Sequence, residues 1–304
     1  RLGMENQLPT VAALFGRWGF GILYAAFAVL YFANALAPEI SPDGSAYHLG
    51  LVDRYLRERG FARLTNHMYA HLSQGVEMLF LFAYAFGKHS AAAMYHFLFL
   101  LVLPLQILYF GKRAGVPLAG AAAGLLVFLS PVVGKDGISA YNDVALAAVV
   151  FGLFVLLELW REHRHPALYL PIGILAGFAC AIKYPAFLAG PFALGYIAWH
   201  LWRSRQLTLR PFLIVPLAAA AFVLPWMIKN TIIVGNPVSP FLNRVFPNPH
   251  VTIDFERQYV ENMRNFGGVT WPEVPVEVTA KGQRLTGLLG RVFLLARLAL
   301  LSLH

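Results

Sequence analysis

Carboxylates are scarce in this sequence, and two sit where they could do chemistry. Asp43 lies in Ser41-Pro42-Asp43-Gly44-Ser45-Ala46-Tyr47-His48, a turn-forming stretch just after the first long apolar run. Asp143 closes Lys135-Asp136-Gly137-Ile138-Ser139-Ala140-Tyr141-Asn142-Asp143, directly before another apolar run. A carboxylate held at the end of an apolar helix, facing a cavity, can take a proton as a general base or bind a metal. Lys183 stands between two apolar runs in the tight Lys183-Tyr184-Pro185 turn, and Lys229-Asn230 follows Pro225-Trp226 at the end of a third. Ammonium groups so placed could bind the phosphate of a lipid carrier. Each residue also has a plainer reading. Ser41, Asp43 or Asp143 could cap the helix that follows. The lysines could snorkel to headgroups, and Trp226 could be an interfacial anchor. Glu77 reads as a helix-start carboxylate. Histidines 48, 67, 71 and 89 share the first loop without an HExxH pattern, so metal ligation by histidine is not expected. No P-loop or GxSxG motif supports nucleotide or serine-nucleophile chemistry.

The elements that must position these groups are membrane helices. Of 304 residues, 58% are hydrophobic and 13% charged, about half the charged share of a soluble domain. Mean hydropathy is +0.60. The formal charge of +9 would suit nucleic acid, but its arginines and lysines fall in short clusters between apolar runs, which is the membrane-topology pattern. A single Cys180 excludes an intrachain disulfide. A span needs about 20 mostly apolar residues, and must be helical because lipid offers no hydrogen-bond partner. Eight runs qualify: 20–37, 91–110, 117–134, 144–160, 167–182, 186–202, 211–228 and 288–303, the last interrupted by Arg291 and Arg297. The expected fold is therefore all-α, a multi-pass bundle of about eight transmembrane helices.

Arg17, Lys112-Arg113, Arg161/Arg164 and Arg203/Arg205/Arg210 fall on one side if 75–87 does not cross, and that side is cytoplasmic by the positive-inside rule. Loops 38–90, 135–143 and 229–287 then face outward with Asp43, Asp143 and Lys183. The apolar stretch in 75–87 is only about 17 Å long as a helix, which predicts a re-entrant or interfacial element. Amphipathic stripes at 49–61 and 254–266 suit helices lying in the headgroup plane, or packed on their own domain. The chain opens without Met and stops inside an apolar run at His304. The expectation is one membrane domain spanning 1–304, a piece of a longer protein with further spans or a soluble domain beyond it.

Several of these features resemble a known family. Asp43-x-x-x-Tyr47 after the first span, an amphipathic helix ending Gly60-Phe61, a short apolar helix ending Phe86-Gly87, Asp143 opening a span and Lys183 between spans occur in the order found in GT-C glycosyltransferases. Pro225-Trp226-x-x-Lys229-Asn230 followed by Gly235-Asn236-Pro237-Val238-Ser239-Pro240 is the most specific stretch. The resemblance is to the lipid-carrier-dependent group that includes aminoarabinose transferases and protein O-mannosyltransferases. It covers roughly residues 18–303. Two departures stand out: His71-Leu72-Ser73-Gln74-Gly75 replaces the group's His-Pro-Pro, and Lys229 stands where Arg is common.

The resemblance implies transfer of a sugar from a polyprenyl-phosphate carrier to a lipid or protein acceptor on the outer face of the cytoplasmic membrane. Asp43 and Asp143 would be the catalytic carboxylates, with Asp43 the base or acceptor-orienting group. Tyr47, His48, Lys183, Lys229 and Asn230 would bind the donor phosphate or substrate. Some GT-C enzymes use a divalent metal. The first loop here lacks a double-acid motif, so no cofactor is expected. A transporter, or a lipid-binding protein without catalysis, are the alternatives from other classes.

Overall fold

The structure, a computed structural model, describes residues 11–250 except 62, 66 and 207, together with 257, 258 and 261. The chain divides into two compact units, Arg1–Lys229 and Asn230–His304. Every regular element among the described residues is helical. The described residues form nine α-helices in order: α1 Val11–Ala35, α2 Leu49–Glu58, α3 Gly75–Arg113, α4 Pro117–Phe128, α5 Pro131–Ile138, α6 Asp143–His163, α7 Tyr169–Ile182, α8 Ala189–Arg203 and α9 Arg210–Val234. A short π-turn covers Gly44–His48, and 3₁₀ turns cover Met68–His71, Pro166–Leu168 and Tyr184–Leu188.

Among the described residues, four helical segments are long and apolar enough to cross a membrane: Trp18–Ala35, Gly75–Arg113, Asp143–His163 and Arg210–Val234. A fifth candidate is the pair Pro117–Phe128 and Pro131–Ile138, bent by 63°. The expected unbroken span over 117–134 is thus corrected. Pro131 opens α5 and holds Ser130 extended at ψ 123°, because a residue before proline is pushed out of the α region. The runs expected at 167–182 and 186–202 form α7 and α8, both shorter than a standard span. The run at 288–303 lies outside the described residues, as does most of 254–266.

Within α3 the helix breaks at Gly87 and Lys88, whose φ of 56° is left-handed. The 75–86 segment, about 18 Å long, is therefore set off from the long stretch that follows. Of the two readings open for its companion α2, the structure shows the one packed on its own domain. Leu49 and Val52, 1% and 0% exposed, join Val76, Phe80, Tyr84, Ala145, Val149, Ala179 and Ile182 in one core. The apolar stripe of α2 faces protein, not lipid, while Asp53 and Arg57 pair on its other side at 3.0 Å.

Lipid tails are as apolar as leucine, so helices in a membrane associate by close packing of small residues. Gly173-x-x-x-Gly177 on α7 provides such a surface. A Cβ at Gly177 would stand 2.5 Å from the Cα of Ala219, and one at Gly173 2.6 Å from the carbonyl oxygen of Val215. On α9, Leu213, Leu217, Leu224 and Ile228 form an exposed apolar stripe suited to lipid. Gly177→Leu must push α7 off α9. We expect it to lower the thermal midpoint of the detergent-solubilised protein by several degrees, with Gly190→Leu, where a Cβ meets open space, nearly silent.

The second unit begins near the end of α9. Gly235, at φ +75°, ends that helix in the left-handed conformation that costs glycine least. Asn236 accepts from Val238 N–H at 2.9 Å and donates to Phe241 O at 2.8 Å and Asn243 Oδ1 at 3.1 Å. Asn243 Nδ2 donates to Pro240 O at 2.7 Å. Within Gly235–Pro240, Asn236 thus works as a backbone staple, and the Ser239–Pro240 peptide is cis.

Candidate active site

Helices α6 to α9 alternate in direction along the first unit. Asp143 opens α6, Lys183 follows α7, and Lys229 lies near the end of α9. These three therefore share one end of the bundle. Arg161, Arg164, Arg203 and Arg210 share the other, where Arg113 at the end of α3 pairs with Glu162.

At the first end, Glu39 knits two loops. Its Oε1 accepts from the N–H and hydroxyl of Ser41 at 2.8 and 2.5 Å, and its Oε2 from Ala140 N–H at 2.6 Å. Ser41 Oγ in turn accepts from Gly44 N–H at 3.2 Å. Ser41 does the capping here, and Asp43, with no side-chain cap bond, remains exposed. Tyr47 lies beside it. Burial first, and the charge of Asp43 second, hold the Tyr47 phenol well above its ordinary pKa, so it stays protonated across the physiological range. The Tyr47 ring stacks on Tyr69 with centroids 4.1 Å apart.

The same division of labour holds at α6. Asp136 Oδ1 accepts from Val144 N–H at 2.9 Å, and His96 Nε2 from Ala145 N–H at 3.2 Å. With those helix-start donors satisfied by other groups, Asp143 accepts instead from Lys183 Nζ at 2.5 Å. Both side chains of this pair are substantially exposed, 59% and 43%. An exposed ion pair contributes only about 0–1 kcal/mol, so its stabilising role is minor and both groups stay accessible.

Between these two clusters sits a buried pair. His48 Nδ1 lies 2.6 Å from Glu77 Oε1, each side chain about 5% exposed. Asn142 Nδ2 donates to the same Glu77 oxygen and to Ile182 O, both at 3.4 Å. Glu77 thereby joins the Asp43–His48 loop to the residues flanking Asp143 and Lys183. Lys229 is buried on the other side of this region. Its Nζ donates to Ala70 O at 2.6 Å and Gln74 Oε1 at 3.3 Å. It also lies 5.3 and 5.1 Å from the ring centres of Phe61 and Trp226, a cation–π arrangement. Among the described residues no carboxylate pairs with it within 4 Å. Tyr55 donates to the same Gln74 oxygen at 3.0 Å, and burial pushes its phenol up to about 12.

Asp43, Tyr47, His48, Asp143, Lys183 and Lys229 thus gather at one end of the first unit. Asn230 belongs to the second unit, where it is buried. Trp226 is 7% exposed and packs edge-on against Phe61, which corrects its reading as an interfacial anchor. Of the loop histidines, His48 joins the cluster through its ring, and the His67 ring lies edge-on to Tyr69 with centroids 6.0 Å apart. The backbone carbonyl of His71 accepts from Tyr184 Oη, and His89 lies against Tyr84. Among the described residues no three His, Cys, Asp or Glu side chains converge as metal ligands.

Residues 77–228 match the family described as dolichyl-phosphate-mannose-protein mannosyltransferase. The chain belongs to this family. It is accordingly a membrane glycosyltransferase of the GT-C type. The stretch matched to the mannosyltransferase family takes in Glu77, Asp143 and Lys183 and stops one residue before Lys229, while the loop carrying Asp43, Tyr47 and His48 precedes it. No curated protein and no solved structure matches the chain.

Glu77 is the member of the cluster that sequence reasoning left out, together with Glu39, Gln74 and Tyr69. One signal was available for Glu77: a carboxylate in an otherwise apolar helix of a membrane protein is expensive and usually engaged. For Glu39 and Gln74 no local pattern distinguishes them from loop polarity. Chemically, the site offers two exposed carboxylates, a protonated phenol, a buried imidazole–carboxylate pair and two ammonium groups.

Proposed function

We propose that the protein transfers a sugar from a polyprenyl-phosphate carrier to a lipid or protein acceptor at the outer face of the cytoplasmic membrane. The observation that carries this reading is the gathering of Asp43, His48–Glu77, Asp143–Lys183 and Lys229 at one end of apolar helices. The acceptor hydroxyl oxygen attacks the anomeric carbon, and the bond from that carbon to the carrier phosphate oxygen breaks. The hydroxyl proton passes to Asp43, a general base at a site open to solvent. The electron pair leaves with the phosphate, whose growing charge is met by Lys183 and Lys229. Asp143 holds the Lys183 ammonium in place, and Glu77 fixes the His48 ring behind Tyr47. The cluster provides for this step through its own side chains and calls on no metal. The arginine-rich end faces the cytoplasm. α7 with its preceding turn, and α8 with the turn before it, cross alongside the longer helices, which extends the bundle toward eight spans.

The experiment is transfer of radiolabel from a panel of polyprenyl-phosphate sugars to a membrane extract by the purified full-length protein. Label should move to an acceptor for at least one donor. Flux of a solute through proteoliposomes, with no transfer from any donor, would instead favour a transporter. Lys183→Met removes one phosphate-facing charge while keeping the length of the side chain. It is expected to raise the donor KM about tenfold or lower kcat by a similar factor, read from initial rates at varied donor. Asp143→Asn should show a smaller effect in the same direction.

A further inference from the structure

The far end of the first unit carries a feature that sugar transfer does not use. Arg113 and Arg161 there are paired, with Glu162 and with Glu158 respectively. Arg203 and Arg205, at and just beyond the end of α8, have no carboxylate within 4 Å among the described residues. Together with Trp199 and Trp202 they line a cavity of about 540 Å³. Trp199, Trp202 and Arg203 are three and four residues apart, so they share one helix face. The Arg203 guanidinium lies 5.7 Å from the Trp199 ring centre, and the two indoles are 5.3 Å apart. Both indoles are more than half exposed, 52% and 62%.

The same face continues toward the other end of α8. Leu188 and Phe192 are 60% and 57% exposed, and a Cβ at Gly195, between Phe192 and Trp199, would meet nothing within 4 Å. Leu188, Phe192, Gly195 and Trp199 follow the spacing of four, three and four that keeps one stripe of a helix in line. This makes an apolar track with a gap at Gly195, running into a mouth with two unpaired guanidiniums. Guanidiniums bind phosphate oxygens through paired N–H donors, and indoles settle where one edge is apolar and the other wet.

We propose that this track and mouth bind an anionic glycerophospholipid, its phosphate between Arg203 and Arg205 and one acyl chain along Leu188, Phe192, Gly195 and Trp199. Two positive charges facing one anionic headgroup give the site a preference over zwitterionic lipid. The preference is electrostatic and falls with salt. The site is separate from the sugar-transfer cluster, which lies about 22 Å away along the length of α8.

The test uses full-length protein in liposomes containing brominated lipids, which quench tryptophan on contact. Brominated phosphatidylglycerol should quench Trp199 and Trp202 at roughly tenfold lower mole fraction than brominated phosphatidylcholine. The difference should vanish in the Trp199→Phe/Trp202→Phe variant, which removes the reporters, and in the Arg203→Gln/Arg205→Gln variant, which keeps them. Gly195→Phe, filling the track, should weaken quenching by both lipids while leaving the thermal midpoint unchanged. Equal quenching by the two lipids would overturn the proposal. So would a preference that survives loss of both arginines, or one that inorganic phosphate removes when chloride at equal ionic strength does not.

Discussion

Asp43→Asn is expected to lower sugar transfer by roughly 10²- to 10⁴-fold, the range over which a general base contributes. The substitution keeps the shape of the side chain and removes its capacity to take the acceptor proton. Stability should hardly change, within about 0.5 kcal/mol as for most exposed positions, because the local capping work is done by Ser41 and Glu39. Donor binding should survive as well, since the phosphate is met by lysines elsewhere in the cluster. The check is an initial rate at saturating donor beside a donor-binding isotherm. Low kcat with unchanged binding is the expected result. A variant with native kcat would remove Asp43 from the role of base.

The second large effect concerns stability. Glu77→Leu would strand the His48 ring nitrogen in an interior position and leave the Asn142 amide with its contact to Ile182 O. Breaking a buried charged or hydrogen-bonded pair by deleting one partner costs about 3–5 kcal/mol, so this variant should unfold at much lower temperature or fail to accumulate. Glu77→Gln separates charge from geometry. Its carbonyl oxygen can still accept from His48 Nδ1 and Asn142 Nδ2, the two contacts that Glu77 Oε1 makes. It should retain most of the stability, read as the thermal midpoint in detergent, while lowering transfer activity through loss of the carboxylate charge beside a His48 ring that stays in place. Leu and Gln variants of equal stability would show that the pair does not hold the loop.

These expectations rest on contacts whose visibility in the sequence differs. The helices were legible because lipid-facing segments must be apolar for about 20 residues, and the runs around 18–35, 89–113, 143–163 and 210–234 satisfy that without ambiguity. The break at Gly87–Lys88 matches the short length of the apolar stretch before it. The bend between α4 and α5 was hidden inside a run that is apolar on both sides of Ser130-Pro131. Asp43, Asp143 and Lys183 stood out because a charge at the mouth of an apolar helix needs a reason. That the two aspartates are free of capping did not, since it depends on Ser41 taking Gly44 N–H at one turn and on Asp136 and His96 taking Val144 and Ala145 N–H at the other. Glu77 was passed over for a related reason. Its helix-start position satisfies local rules, and its partner His48 lies 29 residues earlier. Local spacing also cannot tell which way an amphipathic helix turns its apolar face, which is why the sequence left α2 open between the headgroup plane and its own domain, where it packs on α3.

The most direct test of the account is where the carrier phosphate sits. A radiolabelled polyprenyl phosphate with a photoreactive group beside its phosphate can be irradiated with the full-length protein in proteoliposomes and the labelled peptides identified. The account predicts label on peptides containing His48, Lys183 or Lys229, reduced by excess unlabelled polyprenyl phosphate and weakened in Lys183→Met. Label confined to the arginine-rich end of the helices, or spread evenly and indifferent to competitor, would contradict it.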